Sequence, residues 1–410
     1  MKKMWFLLGL VLGTLIVQAQ PGTWQARTAR PMGGRAGAFA FTHNGLGYVG
    51  GGDDDNLNGS SDLWAYDPVA DTWTQRASLP AAGRAAAAVF VLGGSAYVAG
   101  GELSSSGSTV DVNELWAYDL AANAWAARAP IPGAGRAAAF AFALGNLGYV
   151  GGGADFPNAV QHTDLWAYDP VADTWTPRAG FPTGFATLPA SFALGGAGYV
   201  AGGSNFGMGS ALTQQVWRYD PVADQWSARA PLPRVRAYGS SLALGGYGVV
   251  VEGLASLQPA VAVRDLLLYD PAADSWTQYP APGSPSLARM APYAFGLGNR
   301  VYVGSGMDMT NFSVIDDLWA FTLPPLAVRD GRAEAEGFTL APNPAGGQVW
   351  LRGAGAGVVT VLDARGRVVR TVERRSAAAA QDVPVDLRDL PAGVYVVRCG
   401  EVMKRLVVGL

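Results

Sequence analysis

Leu165-Trp166-Ala167-Tyr168-Asp169-Pro170-Val171-Ala172-Asp173-Thr174-Trp175 reads as a strand, a tight turn and the start of a second strand. Apolar and aromatic residues alternate on either side of an Asp-Pro turn signal. Near copies begin at Leu63, Leu115, Val216 and Leu266, and a shortened one, Leu318-Trp319-Ala320-Phe321, ends the series. Working outward, the second tryptophan recurs at 24, 73, 125, 175, 226 and 276. A period near 50 residues belongs to a propeller or a solenoid.

Each unit divides into four short strands, for example Ala137 to Leu144 (a), Leu147 to Gly151 (b), Leu165 to Asp169 (c) and Thr174 to Arg178 (d). Strand a is built from Ala, Ser and Gly with scattered Phe, whereas c and d carry Trp and Tyr. Strands that converge on a central axis need small side chains, so the gradient points to an all-β, six-bladed propeller rather than a solenoid. Trp24 precedes any strand a, and the last unit stops after strand c. Residues 23–27 are therefore expected to supply the outer strand of blade six and close the ring.

Together the markers resemble the kelch repeat: an arginine ahead of strand a, an aromatic-valine-diglycine in b (Tyr97-Val98-Ala99-Gly100-Gly101), the Tyr-Asp of c and the Trp of d. Units five and six depart from it, with Glu252-Gly253 and Ser305-Gly306 at the diglycine and Leu267 for a tryptophan. The propeller is assigned to residues 20–322.

The ends of the chain read differently. Lys2 and Lys3 precede an apolar run from Met4 to Val17, and Val17-Gln18-Ala19 carries the small residues of a cleavage site. Residues 1–19 are expected to be a secretory signal peptide, the run being shorter than a spanning helix, so the mature chain should hold no transmembrane segment. Residues 323–336 read as a linker. Beyond it, 337–410 is expected to be a small Ig-like β-sandwich. Its motifs, Leu340-Ala341-Pro342-Asn343-Pro344, Val361 to Val369, Leu390-Pro391-Ala392-Gly393-Val394-Tyr395 and Lys404-Arg405, resemble the C-terminal sorting domain of type IX secretion cargo. That resemblance implies a Bacteroidetes-type bacterium, the type IX machinery as partner, and an address outside the cell or on its surface.

Composition excludes several functions. Net charge −3 leaves no basic surplus for nucleic acid. A single cysteine, Cys399, excludes an intramolecular disulfide framework. The two histidines, His43 and His162, fall on opposite faces of the disc. They cannot share a catalytic triad, or a copper site like that of the kelch-containing galactose oxidase. Gly45 to Gly50 spells G-x-G-x-x-G but runs into a strand, not a helix. No cofactor is expected. The recurrent aspartates of the c-to-d turns are read as turn formers.

Candidate site residues lie on the face that carries the d-to-a and b-to-c connections. Arg35, Arg84, Arg136, Arg236 and Arg289 precede strand a in five units, with Phe185 read as the counterpart in the fourth. They are either braces between blades or a ring for acidic peptides or sugars. Glu252, with Arg236 as partner, is the alternative catalytic candidate. Asp54, Asn56 and Asn58 match half of a calcium loop but lack its closing glutamate. The expected function is an exported protein- or glycan-binding module using loops 102–113, 154–163 and 204–213. The alternative is an enzyme on acidic sugars, since exported kelch propellers resembling sialic-acid epimerases exist.

Overall fold

The computed structural model describes residues 22–323, apart from 32, 106–107, 206–210 and 281–287, and the strand-bearing parts of 339–408. Every regular element described is a β-strand. The chain forms two compact units, Met1–Pro325 and Leu326–Leu410. The expected signal peptide lies outside the described residues, as does the expected linker beyond Leu323.

The first unit holds six four-stranded antiparallel sheets, each running a-b-c-d outward. In blade three these are Phe140–Leu144, Leu147–Gly151, Leu165–Asp169 and Thr174–Arg178. Strand a is shorter than its small-residue run suggests, because Ala137 leaves the sheet to bridge Ala154 on the loop face. Blade six is completed by Trp24–Arg27, which pairs with Leu318–Thr322, Trp24 opposite Phe321. Their rings lie 5.0 Å apart.

Blades lock together by knobs and holes. A Cβ built on Gly148 would stand 2.0 Å from Phe90 of the preceding blade, and Gly47, Gly198 and Gly248 meet Phe295, Phe142 and Phe192 in the same way. In these four blades glycine leaves room for the ring, and in blade two the small Ala96 packs in one buried cluster with Phe41. At the corresponding position of blade six the hole is Val301 and the knob shrinks to Leu242. Total volume is thereby kept.

The outer rim repeats a second lock. Tyr168 donates to Asp173 at 2.6 Å, Asp173 accepts the Ala129 amide of the preceding blade, and Trp175 Nε1 donates to the Ala129 carbonyl. Blades two, four and five repeat it, with Asn123 for the aspartate in blade two. In blade one Asp71 and Trp73 reach back to Thr28, so the closing strand joins the same scheme. These turn residues adopt positive φ, from 45° at Asp274 to 55° at Asp71. Asp and Asn tolerate that conformation best after glycine.

The second unit has a three-stranded and a four-stranded sheet. Val349, Leu351 and Val385 of one pack with Val359, Val361, Val397 and Leu406 of the other in one buried core. Asn343 accepts the Val407 amide, and Tyr395 donates to the Pro391 carbonyl. Both belong to the motifs quoted above.

Candidate functional site

The arginines ahead of strand a do not form an open ring. Arg84, Arg136, Arg236 and Arg289 are all at most 2% exposed. Each donates to a carbonyl sixteen residues on, at the end of strand b: Gly100, Gly152, Glu252 and Ser305. Each also meets an acid that stands just before strand c. Arg136 holds Asp164 through two bonds of 2.6 and 2.9 Å, and Arg289 holds Asp317 through 2.6 and 2.7 Å. Arg84 takes Glu114 and Arg236 takes Asp265. Hydrogen bonding by these arginines holds Glu114 and Asp164 below the usual carboxylate range against the upward push of burial. Buried and engaged with acids and carbonyls of the protein, these four arginines take the brace arrangement, one of the two that the sequence left open.

Two blades depart from the pattern. In blade four the aligned residue is Ala186, not Phe185: the Gly153 amide donates to the Ala186 carbonyl just as Gly101 donates to Arg136. The expected Phe185 is one residue out of register. Its would-be acid is Gln215. Arginine and carboxylate are thus absent together, as a brace requires, since either alone would leave an unpaired charge. In blade one Asp62 is taken by Arg30 at 2.9 and 3.1 Å, leaving the half-buried Arg35 to donate to the Gly34 carbonyl.

Glu252 stands at the first diglycine position with φ 52° and is 2% exposed. A Cβ at the equivalent Gly202 would stand 2.3 Å from the Arg236 carbonyl of the next blade. The carboxylate lies 3.2 Å from Arg289 Nε, whereas Arg236 bonds only its backbone carbonyl. The expected Glu252–Arg236 pairing is corrected accordingly. Burial pushes the carboxyl up to about 7, with Arg289 opposing. Burial prevails because Arg289 is already shared with Asp317.

The calcium-like loop folds on itself. Asp54 Oδ1 accepts the amides of Asn56 and Asn58, an Asx turn that uses the oxygen a cation would need. No group of three His, Cys, Asp or Glu among the described residues is arranged to hold a metal ion. His162 sits half-buried with a ring nitrogen 3.3 Å from the Gly135 carbonyl, and burial lowers its pKa.

Above the braces the axis opens into a cavity of about 380 Å³. Its neck is a closed ring of six backbone hydrogen bonds: Ala86 donates to Gly37, Ala138 to Ala86, Leu188 to Ala138, Tyr238 to Leu188, Ala291 to Tyr238 and Gly37 to Ala291, at 2.8–3.3 Å. All six have φ between 51° and 68°. Five are not glycine, so the sequence carries little sign of them. Because every amide and carbonyl of the ring is used, only side chains are left to select a ligand there. Tyr238 alone among the six has a polar one.

One layer out, the residue after each diglycine differs from blade to blade: Asp53, Glu102, Ala154, Ser204, Leu254 and Met307. Asp53, Glu102, Tyr238, Met290 and Met307 all line the cavity. The Ser104 hydroxyl lies 3.0 Å from Glu102 and 3.5 Å from Asp53. Burial and the neighbouring Glu102 push Asp53 up to about 6. The sequence reading placed Glu102 in a loop but missed this acid pair, whose signal is loss of symmetry and not repetition.

A sequence-family model for the Attractin/LZTR1 beta-propeller matches residues 47–318, and the chain belongs to that family. A second, the secretion system C-terminal sorting domain, matches residues 339–408. The chain is thus a propeller with a tail that implies export by type IX secretion to the cell surface or beyond. The solved structure titled "Structure of YjhT" is similar over 71% of this chain and 96% of its own, with TM-score 0.57 and 18% identity. That likeness shows the fold alone. A search of curated proteins finds no match.

Proposed function

We propose that the protein is an exported binding propeller whose recognition site is the axial cavity with its surrounding b-to-c loops, taking a protein or glycan ligand. In this reading residues 1–19 are a signal peptide, 323–336 a linker and 337–410 the transport address in a Bacteroidetes-type host. The supporting observation is the cavity itself, where six otherwise similar repeats present different side chains. Pockets that converge a few polar groups on an apolar wall are the usual ligand sites. The acidic-sugar enzyme has no comparable support: Arg84, Arg136, Arg236, Arg289 and Glu252 are buried in ion pairs, and none of them lines the cavity.

A combined glycan and peptide array, probed with the full chain and with Ala138→Trp, tests the site. The indole should fill much of the neck and abolish the hits. Hits that persist on a folded Ala138→Trp protein would place recognition elsewhere.

A further inference from the structure

We infer that the axial cavity is built for an organic cation, an ammonium group on a short apolar stem. The inference rests on the cavity being the binding site and specifies what it takes.

The acids that face this cavity are short of donors. Asp53 and Glu102 face the cavity from adjacent blades and share one hydroxyl, that of Ser104. Asp53 Oδ1 is buried without a hydrogen-bond partner. Asp111, opposite Glu102 in the hairpin register, does not itself line the cavity but is nine-tenths buried beside that acid. One of its oxygens accepts the Phe156 amide at 2.6 Å and the other has no partner. Burial pushes this carboxyl up to about 6, and the charges of Glu102 and Asp155 push the same way. Buried polar atoms are satisfied in the great majority of cases, so a cluster short of donors marks where a donor-bearing group belongs.

The nearby cations do not meet that demand. Arg35 donates to the Gly34 carbonyl and its charge opposes the rise of Asp53 without cancelling it, Arg84 donates to Glu114 and Gly100, and neither lines the cavity. An ammonium supplies three donors and a charge, which suits two carboxylates bridged by one hydroxyl. The remaining wall suits the stem. Ala86, Ala138, Met290 and Met307 are apolar, and Tyr238 brings an aromatic ring whose hydroxyl feels the charge of Glu102. Aromatic faces and polarisable sulfur both accommodate cationic stems. A carboxylate ligand would face repulsion from Asp53 and Glu102, which line the cavity while no arginine does.

Calorimetric titration of the full chain with n-butylammonium, n-butanol and n-butyrate, probes of one size and three charges, tests this. The expected order is butylammonium far ahead of the other two. Asp53→Asn and Glu102→Gln should each weaken it by about 10- to 100-fold, the scale of a charge-assisted hydrogen bond. Circular dichroism should show both variants folded. A second arm with acetyl-Gly-Lys-Gly-amide separates the sources: tighter binding than butylammonium assigns the cation to a lysine side chain, weaker binding to a free amine.

Butanol or butyrate binding as well as butylammonium, and lost in Ala138→Trp, would overturn the cation while keeping the cavity as the site. Butylammonium binding unchanged in both folded acid variants would overturn the inference, as would no binding of any probe at millimolar concentration. In that last case the array result still decides the cavity separately.

Discussion

The brace layer and the mouth layer lie a few residues apart in every blade, yet they obey opposite rules. The braces repeat: arginine, carbonyl, acid, with Ala186 and Gln215 as a matched omission in blade four. Around the mouth the corresponding positions run Asp53, Glu102, Ala154, Ser204, Leu254 and Met307, with no two neighbours alike. Repetition around a ring serves the ring, because every blade must solve the same packing problem. A ligand on the axis meets all blades at once, so its recognition is written where the repeats differ.

The largest effect is expected at a brace. Removing the guanidinium in Arg136→Ala leaves Asp164, whose side chain is 36% exposed, facing a buried gap. The expected loss is about 3 kcal/mol, the lower end for breaking a buried pair because water reaches the acid. Urea unfolding monitored by tryptophan fluorescence measures it. The double variant Arg136→Ala with Asp164→Gln recreates the natural pair of blade four. It should recover about 1 kcal/mol or more of the loss, a coupling that a double-mutant cycle reads directly. No recovery would mean that the arginine does not act through its acid.

The blades are legible in the sequence and the axial cavity is not, and both have a physical cause. Periodicity reports packing, so the tryptophans, the Tyr-Asp pairs and the diglycines marked strands and turns almost to the residue. Arginine is ambiguous, because the same fork serves a brace or a ligand and only burial separates the two. The neck ring was hidden because Ala86, Ala138, Leu188 and Ala291 adopt positive φ without glycine. Their strain, about 1 kcal/mol or more each, is held by the closed cycle of hydrogen bonds. Glu252 departs from the repeat in the sequence itself, but its partner, Arg289, belongs to the next blade, which local sequence does not show.

Glu252 breaks the repeat inside the brace layer itself. Its carboxyl is raised to about 7, and those of Asp53 and Asp111 to about 6. A raised carboxyl means that the native state binds more protons than the unfolded chain, so stability should fall as pH rises from about 4.5 to 7.5. Groups with lowered pKa, such as Asp164 and Glu114, act in the opposite sense, losing their contribution only as acid passes below the unfolded carboxylate range. Glu252→Gln should remove about 2 kcal/mol of the decline between pH 5 and 7.5, as an order of magnitude from its shift. Thermal melts at five pH values are sufficient. A Glu252→Gln profile parallel to that of the parent would show that the carboxyl is charged throughout.

The smallest expected effect is the most diagnostic of the mouth. Glu102 is partly exposed and has no arginine brace, and its hydrogen-bond partner Ser104 can equally donate to the amide oxygen of a glutamine. Glu102→Gln therefore takes away repulsion toward Asp53 without opening a cavity. At pH 7.5 stability should stay within about 0.5 kcal/mol of the parent or rise slightly, the pattern of a site that gives up stability for function. The gain should shrink at pH 5, where Asp53, raised to about 6, is largely protonated and has no charge left to repel. Adding Asp53→Asn to Glu102→Gln should then give less than the sum of the single effects, because each removes the same repulsion. A loss of the size expected for Arg136→Ala would instead place Glu102 among the braces, and the distinction between a repeated frame and an asymmetric mouth would fail at the residue where it is drawn most sharply.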